Sequence, residues 1–533
     1  MFNLYIFKLN DIRLTTVLTF GLLATGVSIV FAFSFSSSIG IYDEGFTLTN
    51  ALRILEGEIP HKDFWTAYPP GTAVLIASIF SVTKPTLEVA RCINAAWTIL
   101  LAASVFGLLS HVIPRLLAAI ITVIVTLLLS TTLYPSYSVI PALAIMTMGI
   151  SFIARALAHD QPKSAYIGAG LIGLTTAFRH DFAAYAMSSL LFSTTVLFFS
   201  MRGRSNFSNK FIFSNKFITQ MLLVASLTGI VMIMAALLWC GFGPFWDQTV
   251  VFPITMMRSF RSLPAPAFED FFSSDIRQWL LAWLPIISLA FGSAIAITNG
   301  SWRDHLRQFL LLFFGALCLF LLIQSRNRFD DVHAFPSLLC AAIFLTIACS
   351  KVTWSLGSFR ENLFSYGSLT VFICIFLTMC CVTEVLKTFS CAIPVSSQCM
   401  SIRPAHKQVI DYFEQQGANL GPIFVGNSRH DKIFANDASL YFLLKREIPV
   451  KWNEMHPGVV TTAPVQTAMV ESMERKGVNY VVLTAIEGPS EPNESSKSSG
   501  VTILDDYLQR YFIPVAAVGP YTILLRNSYA AEH

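Results

Sequence analysis

Apolar blocks of membrane length with few charges recur along this chain, and no other feature limits its fold as tightly. A helix needs about 20 apolar residues to cross the ~30 Å hydrocarbon core of a bilayer. Inside that core every backbone polar group must be bonded within the protein, so a chain crosses it as helices or as a closed barrel. Blocks near 14–36, 87–109, 115–133, 137–157, 164–178, 182–200, 217–240, 279–298, 307–324, 335–350 and 366–388 predict about eleven transmembrane helices. A shorter piece, 72–83, cannot span and is expected at the interface. The composition agrees: 54% of residues are hydrophobic and 13% charged, against about 25% charged in soluble domains. The first block exceeds the ~7–15-residue core of a signal peptide and reads as a retained helix.

Basic residues orient the spans, because Lys and Arg favour the cytoplasmic side. Lys8 and Arg13 precede the first span, and Arg202, Arg204, Lys210 and Lys216 fill the stretch before the seventh. Alternating spans put "SWRDHLR" (301–307) and Lys351 to Arg360 on that same side, and an odd number of spans leaves the end of the chain outside. No basic stripe with interleaved aromatics is present, so nucleic acid is not an expected partner. The cysteines before residue 385 sit in apolar segments and read as packing residues; Cys374, Cys380 and Cys381 lack metal-ligand spacing. After about residue 390 the chemistry changes. "PIFVG" and "NYVVLT" read as short strands, and "HKQVIDYFEQQG" as an amphipathic helix ending at Gly417. Residues 400–533 are thus expected to form a soluble extracytoplasmic α/β domain on a transmembrane domain of residues 1–390. Cys391 and Cys399, at its root, are either bridged or free thiols. "PNESS" contains an Asn-Glu-Ser sequon.

With this topology the polar motifs gather on one face. In the first outer loop, 40–70, Leu48, Ala51, Leu52 and Leu55 are spaced for one face of a helix over 44–56, ended by Gly57 and expected to lie along the membrane surface. Asp43 stands at its start, where it reads either as an N-cap or as a general base at the mouth of a cavity. Glu44 is either a second acid or a complement to the helix dipole. Trp65 and Tyr68 read equally as interfacial anchors or substrate contacts. Arg179, Arg258, Arg261, Arg326 and Arg328 fall on the outer side, against the usual bias, and need a local reason. Asp181, Asp330 and Asp331 could pair with some of them. The other reading is an anionic ligand, for which guanidinium is suited to bidentate phosphate contacts. His180 and His333 lie in the same two motifs, "FRHDF" and "QSRNRFDDVH".

"YDEGFTLTNALRILEGEIPHKDFWTAYPPGTAVL" resembles the first outer loop of the type C membrane glycosyltransferases, which include the protein O-mannosyltransferases and the bacterial aminoarabinose transferases. The resemblance covers roughly residues 10–390. It implies transfer of a sugar from a polyprenyl-phosphate donor to an acceptor hydroxyl on a glycan, lipid or protein, at the outer face of a bacterial cytoplasmic (inner) membrane. It places the catalytic base on Asp43, with Glu44 completing the acidic motif. Asp63, Tyr68, Arg179, His180, Asp181, Arg258, Arg326, Arg328, Asp331 and His333 are the candidate substrate-binding residues. No cofactor is fixed; Asp43, Glu44, Asp63 and His333 could supply ligands for a divalent metal. The competing classes are a transporter or flippase for a lipid-linked substrate, and a non-catalytic receptor. The first predicts internal repeats, of which the sequence has no sign; the second leaves the acidic loop without a role.

Overall fold

A computed structural model describes residues 2–36, 38–132, 135–201, 214–272, 275–351, 402–417, 420–485 and 490–527. Helix α1 (Phe2–Ser36) leads to two short helices, α2 (Asp43–Leu55) and α3 (Gly71–Val82). The bundle continues with α4 (Leu87–Leu109), α5 (Arg115–Thr132), α6 (Val139–His159), α7 (Pro162–Leu174), α8 (His180–Met201), α9 (Asn215–Cys240), α10 (Ile276–Thr298), α11 (His305–Ser325) and α12 (Asp331–Cys349). Among the described residues eight helices are long and apolar enough to cross a membrane. The spans expected at 115–133 and 164–178 come out shorter. The apolar stretch of α5 is Arg115–Ser130, and α7 gives way after 13 residues to a 3₁₀ turn, Thr175–Ala177. The piece expected at the interface is α3, started by Pro70. The eleventh expected span, the basic stretch 202–210 and Cys374, Cys380, Cys381, Cys391 and Cys399 lie outside the described residues.

Small residues set the closest approaches. A Cβ added to Gly168 of α7 would stand 2.3 Å from the carbonyl oxygen of Gly149 on α6, so the two backbones touch directly, as small residues allow in membranes. Helix α12 is central, with 89% of its apolar window buried, whereas α9 buries 17% of its own and turns Leu223, Leu227 and Val231 outward. Hydrophobic residues on an outer helix are what a lipid-facing surface requires. Hydrogen bonds between helix ends define two faces. At one, Arg307 donates to the carbonyl of Val112, Asn299 to that of Ala348, and Ser200 to Gln308. At the other stand α2, α3, the start of α4 and the loop 245–272. That loop is helical in large part: Phe242–Trp246 runs into two π-helical turns, Asp247–Val251 and Pro253–Met257.

The tail rests on this second face. Helix α13 (Pro404–Gln416) ends at Gly417, whose φ of +99° a side chain would disfavour. Strands β1 (Ile423–Asn427), β2 (Tyr480–Thr484), β3 (Phe512–Val518) and β4 (Tyr521–Arg526) form one sheet in the order β1-β2-β4-β3. Only β1 and β2 are parallel. A parallel pair needs a long crossover, and the chain between them supplies it with α14 (Ser439–Leu444) and α15 (Ala463–Arg475). Phe424, Val425, Val481, Val482, Ile523 and Met469 make the core. The β3–β4 hairpin had no clear signal in the sequence, because Pro514 and a bulge interrupt the pattern of β3. The sequon residue Asn493 is a strut: its amide donates to the carbonyl of Ser262 at 2.8 Å and to Glu491 at 2.9 Å.

The helix polarity assigns the tail and α2 to one side. In a variant without native cysteines, Lys62→Cys and Gln408→Cys should react together with an impermeant maleimide added outside intact cells. Arg303→Cys, at the other face, should react only after the cells are opened. Labelling of Arg303→Cys first would reverse the topology.

Candidate active site

Helix α2 is where the site begins. It is not the surface helix expected from its pattern: every residue from Glu44 to Arg53 is buried. Bundle and tail close on it from opposite sides. Glu44 faces the bundle, fully buried, and bonds Arg91 of α4 at 3.0 Å and the backbone N–H of Gly40 at 2.7 Å. Burial raises its pKa, with Arg91 pulling the other way. Sealed in this pair, Glu44 is out of reach of substrate, which removes it from the catalytic candidates and makes it the pin that fixes α2. Toward the tail, Thr49 donates to the carbonyl of Ala438, Asn453 bonds Asn50 at 2.9 Å, and Arg53 donates to the carbonyl of Val450 and to Asn453. A Cβ on Gly45 would fall 2.5 Å from the backbone nitrogen of Ser439, so glycine is what lets α14 sit on α2. Gln248 clamps the rest of the first loop, bonding His61, Thr66 and the carbonyl of His61.

Asp43, half-buried, stands where these parts meet, within electrostatic reach of His333, Arg261 and Arg328. It is the first residue of α2, but the cap position belongs to Tyr42 and no side chain caps the helix. The capping role is therefore not met. Among the described residues the Asp43 side chain makes no hydrogen bond or ion pair. Burial pushes its pKa up to about 6, against the pull of His333, Arg261 and Arg328. His333 Nδ1 bonds Asp330 Oδ1 at 2.6 Å, which fixes the ring and leaves Nε2 unengaged by that bond. Asp330 is held down to about 2: burial opposes this, and bonds from His333 and the charge of Arg328 prevail.

A second side of the space is aromatic. Tyr68 stacks on Phe46, and its hydroxyl meets that of Tyr137 at 3.2 Å. The Arg179 guanidinium lies over the rings of Tyr68 (5.2 Å) and Phe182 (4.7 Å). Both tyrosines feel the charges of Arg179 and of Asp43, so they stand between acid and guanidinium. Arg179 is also bidentate to Asp181 through Nε and Nη2, and Gln324 donates to the same carboxylate. That leaves Nη1 as its free edge among the described residues.

The other sequence candidates separate. Arg328 donates to Asp330, to both oxygens of Glu491 and to the carbonyl of Arg261. So occupied, it ties bundle to tail. Asp331 pairs with Arg277 at 2.6 Å and accepts from Gln278, a structural role. Asp63 lies exposed, bonded to the N–H of Ile59. His180 turns toward His61 and Thr249, beneath the clamp. Arg258 and Arg326 are exposed and form no ion pair among the described residues; Arg326 lies 5.3 Å over the Trp283 ring. Among the described residues no three His, Cys, Asp or Glu side chains converge as a metal site. Glu44 faces Arg91 and Asp63 faces solvent, so the set considered for a metal does not fit one.

Sequence reasoning missed the tail's share. Glu454 and His456, both buried, bond each other at 2.7 Å. His456 packs its ring against Tyr42, Trp65 and Phe252. Burial holds the Glu454 carboxyl far above its usual range and Asp43 adds to the effect. Arg261, seated over Tyr42 and bonded to the carbonyl of Phe434, is the cation nearest to this group in effect. "KWNEMHPG" carries an acid and a histidine in a polar loop, and nothing local says that it enters a site more than 400 residues earlier in the chain.

This arrangement of helices is similar in fold to solved structures of ArnT. ArnT from Cupriavidus metallidurans in the apo state superposes over 96% of this chain and 98% of its own, with a TM-score of 0.58 and 12% identity. The same protein bound to undecaprenyl phosphate covers the same shares at 12% identity with a TM-score of 0.51. No family profile and no curated protein matches by sequence.

The contact at Gly45 tests how the site is closed. Gly45→Ala puts a methyl group into the backbone of α14 and should cost about 1–3 kcal/mol, as overpacking does. Gly21→Ala, where nothing lies within 4 Å, should leave thermal unfolding unchanged. Equal Tm values for the two variants would show that α14 does not rest on α2.

Proposed function

We propose that this protein is a membrane glycosyltransferase that moves a sugar from a polyprenyl-phosphate donor to an acceptor hydroxyl at the face where α2 and the tail meet. The observation that carries this reading is Asp43: a carboxyl that caps no helix and, among the described residues, pairs with nothing, its pKa raised by burial to about 6 beside Arg261, Arg328 and His333. A general base works best with a pKa near the operating pH. The fold neighbour that binds undecaprenyl phosphate supports the donor class.

In this scheme Asp43 takes the proton of the acceptor hydroxyl as its oxygen attacks the anomeric carbon. The bond from that carbon to the phosphate oxygen breaks, and the lipid phosphate leaves with the electron pair. A single displacement inverts the anomeric centre. Negative charge grows on the leaving phosphate, and preorganised cations lower the barrier there. Arg179, through its free edge, and Arg326 are assigned this role. His333, fixed by Asp330, is a positioning residue beside Asp43. Tyr68 and Tyr137 line the path between acid and phosphate. The acceptor is a glycan, a lipid or a protein, and the tail forms one wall of its entrance. A flippase finds less support: Asp43, Arg179 and Arg326 stand at the one end of the bundle where the tail covers α2.

Two measurements bear on this. Asp43→Asn should keep the parent's Tm and lose about 10²–10⁴-fold in transfer from polyprenyl-phosphate sugars. In the parent, kcat/KM should level off above about pH 6 and fall about tenfold per pH unit below it, since only the ionised acid accepts a proton. Stable Asp43→Asn with parental activity would discard the base.

The cations separate in the same assay. Arg179→Lys keeps the charge without the planar fork and should retain partial activity, with Arg179→Ala losing more. Arg326→Ala should slow transfer at unchanged Tm, whereas Arg328→Ala should lower Tm by loosening the tail. Arg326→Ala turning over the donor at the parental rate would remove Arg326 from the phosphate site.

A further inference from the structure

The reaction reading makes no use of a cavity of about 510 Å³ at the opposite end of the bundle. It opens where α4 and α6 end. Gly107 and Phe152 form its apolar wall, and His111, Arg155, His159 and Gln161 its polar rim. The rings of His111 and His159, from separate elements, stand 5.6 Å apart. Arg155 lies one turn before His159, and its Nε donates to Gln161 Oε1 at 3.2 Å. That bond orients the guanidinium and leaves its two terminal amines with no partner among the described residues. Asp160, in the left-handed position that ends α6, is the adjacent acid, and no ion pair joins it to Arg155. Burial, with His159 and Arg155 adding, holds the His111 ring below its ordinary pKa.

Depth matters as much as charge. The 23 residues of α4 span about 34 Å at 1.5 Å per residue, so the end of α4 reaches the headgroup level of a bilayer with a ~30 Å core. Basic pockets between helices at that level are where anionic lipid headgroups bind. Basic residues in the last turn of α6 also suit the helix dipole, which accounts for Arg155 and His159 singly. It does not account for His111, which comes from another element, nor for the apolar wall beneath all three.

We propose that this cavity holds the phosphate of an anionic membrane lipid, with Arg155, His111 and His159 on the phosphate oxygens and an acyl chain along Phe152. The site is independent of the glycosyl-transfer reading and needs only that the bundle sits in a membrane. Native mass spectrometry of the full protein in detergent tests it. Added phosphatidylglycerol should be retained and phosphatidylcholine should not. Arg155→Ala with His159→Ala should weaken retention about tenfold or more at unchanged Tm. Arg303→Ala, which removes a charge from the same face outside the cavity, should leave it intact. Equal retention of the two lipids, or an Arg303→Ala loss as large as that of the double variant, would reduce the site to general surface charge. If inorganic phosphate alone displaced the lipid at comparable concentration, the ligand would be a soluble anion, and the lipid assignment would fall.

Discussion

A helix of thirteen residues with buried acids, amides and an arginine has to find a partner for each of them, and the architecture follows from where α2 finds them. Glu44 is bonded to the bundle, and Thr49, Asn50 and Arg53 to the tail. A buried polar group left without a bond costs about 1–3 kcal/mol, and a buried charge more. Neither bundle nor tail alone can satisfy α2, so the two are held in register across it. Asp43 is the exception at the end of this helix. It is carried on the helix that bundle and tail fix from both sides, and its side chain has no partner among the described residues.

The arginines on that face differ in how far their surroundings already engage them. Arg53, Arg91 and Arg328 are enclosed by carboxylates, amides and carbonyls and tie elements together. Arg179 is intermediate, gripped by Asp181 along one edge and open along another. Arg326 stands free of carboxylates among the described residues. Charge alone does not distinguish these roles. What differs is how many donors the surroundings already occupy.

This division marks the limit of what the sequence could say. Spans of 19 residues or more were legible because the hydrocarbon thickness imposes their length. The piece 164–178 was not, because α7 is shortened by a 3₁₀ turn that leaves no mark in hydropathy. The acid at position 43 could be singled out from its place after the first span, but its neighbour Glu44 could not be sorted from it, since the sorting partner, Arg91, lies inside a later apolar block. The apolar spacing of α2 correctly foretold a helix and wrongly foretold a wet face, because the tail that covers it is encoded nearly 400 residues later. Glu454 and His456 were beyond reach for the same reason: no local pattern marks a loop that completes a distant site.

The separation in sequence between Arg53 and its tail partners, 397 residues to Val450 and 400 to Asn453, has a consequence for biogenesis. Synthesis at about 5–20 residues per second puts roughly 20–80 seconds between the emergence of the first loop and that of the segment that receives it. During this interval α2 has a buried-type arginine and a row of amides with no destination. The helix must wait in an unfinished environment of water, headgroups or an assembly factor. Only when the last quarter of the chain has been made can bundle and tail close on α2. The bonds that seat α2 on its second side are therefore among the last that this fold can make.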